Sequence, residues 1–70
     1  MPTPKEFRLM AETARQQAAD YRADAIGSKP ERQSMLRQWA SSRDEYAEFY
    51  ERQADEAEAR AALNQTEEAA

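Results

Sequence analysis

Gly27-Ser28-Lys29-Pro30 divides a chain in which alanines recur every seven residues, at Ala11, Ala18 and Ala25 before the break and at Ala40, Ala47, Ala54 and Ala61 after it. A heptad of small side chains lets two helix axes approach toward the low end of the usual ~8–10 Å packing distance. The break supplies the punctuation. Gly27 suits the left-handed residue that closes a helix, and Ser28-Lys29-Pro30-Glu31 reads as a capping box opening the next one. Thr3-Pro4-Lys5-Glu6 is the same box at the other end of the first run. The spacing predicts helix 1 over about residues 4–26 and helix 2 over about 30–63. With so short a loop they form an antiparallel hairpin, a single unit spanning 1–63. Residues 64–70, Asn-Gln-Thr-Glu-Glu-Ala-Ala, lack an apolar anchor and are expected to be a disordered tail.

Outward from the alanines, the stripe continues. Phe7, Ala11, Ala14, Ala18, Tyr21 and Ala25 alternate steps of four and three, as do Leu36, Ala40, Arg43, Ala47, Tyr50, Ala54, Ala57 and Ala61. Arg43 is the polar member; its stem can pack while its head reaches out, and Ala14 opposite is expected to leave it room. Flanking the stripe are Arg8, Arg15 and Arg22 in helix 1 and Arg37, Asp44, Glu51 and Glu58 in helix 2. Folding about Gly27 predicts Arg8 opposite Glu51 and Arg15 opposite Asp44, with Arg22 unfavourably opposite Arg37.

The chain has 70 residues, no Cys and no His, and a net charge of -4. A single core of that size rarely supplies more than ~3–5 kcal/mol without disulfides, metal or oligomerisation. Disulfides and Cys/His zinc sites are excluded, which leaves oligomerisation. No apolar run approaches the ~20 residues of a membrane span and no signal peptide opens the chain, so a soluble, cytoplasmic protein is expected.

The charge is unevenly placed. Residues 27–43 carry four basic and one acidic side chain, while 44–70 carry two basic and nine acidic. The carboxylates Asp44, Glu48, Glu51, Asp55 and Glu58 make an acidic helix face. Without His they lack the Glu-x-x-His ligands of di-iron bundles, and a regular helix offers no loop to wrap calcium. No metal or cofactor is expected. Ser34, Ser41 and Ser42 have no base beside them, and a hairpin has no enclosed pocket to tune a pKa, so no enzyme activity is expected. Arg22, Lys29, Arg32 and Arg37 cluster near the loop, but the acidic balance and lack of a recognition helix speak against nucleic acid.

What remains is an aromatic row. Trp39, Tyr46 and Gln53, with Met35 and Phe49 beside them and Ala57 further along, are expected to form a dimer or partner interface, since two helices cannot surround them as well as the seam. Helix 2 also outruns helix 1, leaving Ala57, Ala61, Ala62 and Leu63 uncovered. A homodimer crossing near Tyr46 would cover both, set Lys29, Arg32 and Arg37 against Asp55, Glu56 and Glu58, and complete a four-helix bundle. It would also offset a charge order that opposes the helix macrodipole.

Phe7-Arg8-Leu9-Met10-Ala11-Glu12, Pro30, Leu36, Trp39-Ala40, Tyr46-Ala47 and Ala54-Asp55-Glu56-Ala57-Glu58 together resemble the short helical-hairpin proteins of alphaproteobacterial genomes. The resemblance covers residues 5–58 and implies a helical hairpin with no transferable activity. Two functional expectations follow from the surfaces. One is a noncatalytic protein-binding module, a dimeric regulator or inhibitor acting on another protein. The alternative is an anti-CRISPR-like inhibitor from a phage or mobile element, blocking a host nucleic-acid enzyme through the acidic face.

Overall fold

The computed structural model describes residues 2–69, and the side chains of residues 2–65. Two helices pack against each other: α1, Pro4–Ala25, and α2, Pro30–Ala69. Forty residues of α-helix span about 60 Å. The Cα extents of 62 × 15 × 13 Å are therefore those of α2 with α1 laid along it.

The local signals at the start of α1 act as expected. Thr3 Oγ1 accepts from the Glu6 backbone N–H at 3.2 Å, and Pro4 occupies a first-turn position where its missing N–H costs nothing. The Glu6 carboxylate accepts a hydrogen bond from the Thr3 hydroxyl at 3.3 Å, which ties the first turn a second time.

At the turn the reading is corrected. Gly27 is left-handed, with φ at +84°, and no neighbouring atom lies within 4 Å of where a Cβ would stand. Backbone conformation, not space, selects glycine here. Ser28, expected to cap α2, instead donates to the Asp24 carbonyl at 2.6 Å and so caps α1. Gln33 reaches back from α2 to donate to the Ala25 carbonyl at 3.0 Å. Both side chains go to orphan carbonyls at the end of α1, where the peptide acceptors have no helical donors left.

The second correction is the far end of α2. The helix continues past Leu63 through Ala69, so Asn64 to Ala69 are helical where a disordered tail was expected; Ala70 lies outside the described residues. After Pro30 no Gly or Pro interrupts the sequence, and each further residue adds one backbone hydrogen bond to a helix already nucleated.

The core is the alanine seam. Ala11, Ala14, Ala18, Ala25, Ala40, Ala47 and Ala54 are buried, joined by Leu36, and among the described residues none of the buried side chains is polar. Tyr50 packs against the Ala11, Ala14 and Ala47 cluster. Leu36 is the one large aliphatic among them, so close approach of two backbones replaces bulky interdigitation.

Candidate interaction face

The two long sides of the hairpin differ. On one, three arginines of α1 reach carboxylates of α2. Arg8 bonds Glu58 at 2.9 Å and Asp55 at 3.1 Å, Arg15 bonds Glu51 at 2.9 Å with Asp44 at 4.0 Å, and Arg22 bonds Asp44. Hydrogen bonds donated to Glu58 and Glu51 hold the Arg8 and Arg15 guanidinium groups protonated to above their ordinary range. The Arg15 hydrogen bond in turn draws the Glu51 carboxyl below its ordinary 4.5.

This ladder corrects the predicted register. In the pairs Arg8–Glu58, Arg15–Glu51 and Arg22–Asp44 the residue numbers add to 66; in the predicted pairs Arg8–Glu51 and Arg15–Asp44 they add to 59. The helices are thus shifted by one heptad. An alanine every seven residues fits equally well after a shift of seven, so the seam pattern alone cannot distinguish the two alignments. The connection chooses between them: the first turn of α2 is used to climb back beside α1, with Gln33 tied to Ala25. In this alignment Arg22 faces Asp44 and not Arg37, and all three arginines are satisfied.

The shift also changes the overhang. Ala57 comes level with Phe7, and both are half-buried, so Ala57 belongs to the seam row and not to the uncovered end. Ala61, Ala62 and Leu63 remain exposed. Of the acidic face, Asp44, Glu51, Asp55 and Glu58 are paired with arginines of α1, and Glu48 lies near Arg15.

The other side carries the rings. Trp39, Tyr46 and Phe49 remain 46%, 51% and 47% exposed, although each already touches Tyr21 or Tyr50. Trp39 meets Tyr21 edge-on with centroids 5.6 Å apart, Tyr46 stacks on Tyr50 at 6.5 Å, and Phe49 meets Tyr50 edge-on at 5.7 Å. The Arg43 guanidinium, half-buried, lies 5.7 Å from the centroid of the Tyr46 ring. Its head does reach out of the seam, and it does so across an aromatic face. Met35 is exposed on the same row, and Gln53 is half-buried.

Between the helices this side forms an open groove of about 530 Å³, with Leu9, Met10, Thr13 and Gln17 along one wall and Arg43, Tyr46 and Tyr50 along the other. Leu9, Tyr21 and Tyr50 are members of the face that the sequence reading did not single out. Tyr21 and Tyr50 sat in the seam stripe, whose edge is the wall of this groove; Leu9 could be recognised only once the side of α1 facing the groove was known.

Among the described residues no group of three or more Asp or Glu side chains is placed to hold a metal ion. Nor, among the described residues, is any helix long and apolar enough to cross a membrane. The chain is an all-α antiparallel hairpin with one charge-paired side and one aromatic side. No family model, curated protein sequence or solved structure matches it.

Proposed function

We propose that this chain is a noncatalytic protein–protein interaction module, a small dimeric regulator or inhibitor in the cytoplasm that acts by occupying its target. The observation that carries the reading is the row Met35, Trp39, Tyr46 and Phe49, about half exposed on a single side of the hairpin. Trp and Tyr are the residue types that most often dominate protein contacts. A chain with so few large buried side chains also gains stability by covering them, because its own core consists largely of methyl groups.

On this reading a second copy completes a four-helix bundle through the aromatic side, and only the assembled bundle engages the target, so capture depends on the aromatic row. The ion pairs weigh against the alternative of a DNA-like acidic face, since four of its five carboxylates are already paired with the three α1 arginines Arg8, Arg15 and Arg22. The test is binding in the native host: affinity capture with the intact chain beside Trp39→Ala and Tyr46→Ala. Loss of captured proteins with these two variants, and retention with Glu48→Lys, supports the aromatic row; the reverse pattern replaces it with the acidic face.

A further inference from the structure

The row on α2 is close to a palindrome about Ser42. Trp39 stands three residues before it and Tyr46 four after; Met35 stands seven before and Phe49 seven after; Arg32 stands ten before and Gln53 eleven after. Beyond these lie basic Lys29 on one flank and acidic Glu56 on the other, the latter 3.9 Å from Arg60 of its own helix. A twofold interface requires that whatever residue i meets in the partner meets residue i in return. A surface laid out symmetrically about one point satisfies this with no further adjustment.

The geometry points to a second copy of this chain as the occupant of the aromatic side, with the two α2 helices crossing antiparallel at Ser42. This rests on the reading of the aromatic row as a contact surface and assigns its partner and register. Met35 of each copy meets Phe49 of the other, Trp39 meets Tyr46, and the Lys29–Arg32 flank meets the flank bearing Gln53 and Glu56. The crossing point moves from the expected Tyr46 to Ser42, where a small side chain lets the axes come closest. Thioether–aromatic and aromatic–aromatic contacts are both favourable in such a layer. A parallel pairing would instead stack Arg32 on Arg32 and Glu56 on Glu56, so charge selects the antiparallel one.

The chain is elongated, 62 × 15 × 13 Å, and exposes 5505 Å², about 1,000 Å² more than the roughly 4,500 Å² of a compact monomer of 8.0 kDa, so a second copy laid along it has surface to cover.

The chain has no cysteine, so single introduced thiols report proximity without background. In the full chain, Ser42→Cys sits on the proposed axis and should link to itself under mild oxidation at least ~10-fold faster than Arg52→Cys off the row, because the dimer raises its effective concentration. Tyr46→Cys alone should link no faster than Arg52→Cys, while Met35→Cys mixed with Phe49→Cys should give the mixed disulfide in preference to either homodimer. Sedimentation of the unsubstituted chain accompanies these measurements. A dimer in which Tyr46→Cys self-links and Ser42→Cys does not overturns the Ser42 crossing but leaves the aromatic contact surface standing. A helical chain that stays monomeric at tens of micromolar overturns both the crossing and the homodimer.

Discussion

The arginine side and the aromatic side of the hairpin are built from the same two helices, yet they finish their interactions at different levels. Arg8, Arg15 and Arg22 find Glu58, Glu51 and Asp44 within the chain. Trp39 finds Tyr21, and Tyr46 and Phe49 both find Tyr50, yet about half of each residue stays exposed. Charges on exposed surfaces need little burial to be satisfied, because water completes their solvation. Aromatic rings are satisfied only by coverage, and two helices cannot supply it on both sides of a narrow seam. The difference separates what holds the hairpin together from what it offers to other molecules.

The largest effect that would break the comparison lies between the sides, in the seam. Ala47 has no exposed surface, so Ala47→Leu must separate the helices and should cost ~1–3 kcal/mol or more. In a domain of this size that lowers the melting temperature by roughly 4–8 °C per kcal/mol, measured by circular dichroism. Next is the aromatic side, where Trp39→Ala should leave the helical signal near that of the parent but weaken self-association by about 30-fold, the equivalent of a ~2 kcal/mol contact residue. Sedimentation equilibrium reads the constant; unchanged association would detach Trp39 from the interface.

At the turn, Gly27→Ala meets no steric neighbour but must hold a left-handed φ, so it should cost ~1–2 kcal/mol without altering the dissociation constant of a dimer. Thermal melts at several protein concentrations separate these quantities. The smallest effect belongs to the arginine side. Because Arg15 lowers the folded-state Glu51 pKa, the folded chain holds fewer protons there than the unfolded chain does. That stabilisation is present above the ordinary value of 4.5 and is lost as the pH falls through and below it. Glu51→Gln should therefore bring the melting temperature at neutral pH slightly down and flatten its decline in acid, and added salt should shrink the difference.

Much of this was legible in the residues. Thr3, Pro4 and Gly27 mark their helix ends by local chemistry, and Trp39, Tyr46 and Phe49 fall off the seam by periodicity. Other features depended on relations between elements. Ser28 could cap either helix, since its hydroxyl can accept from α2 or donate to α1, and the geometry of the turn decides which. Leu9 is an ordinary helix residue until the groove defines its side. The arginines did contain a usable signal: only the alignment adding to 66 gives Arg8, Arg15 and Arg22 an acidic partner each.

By itself the sequence determined two helices, an antiparallel hairpin and an alanine seam, because caps, glycine and a heptad stripe are local or single-helix properties. The tertiary structure decided which heptad meets which. A pattern that repeats every seven residues is unchanged by a slip of seven, and only the path of the connection and the reach of the flanking side chains remove that degeneracy.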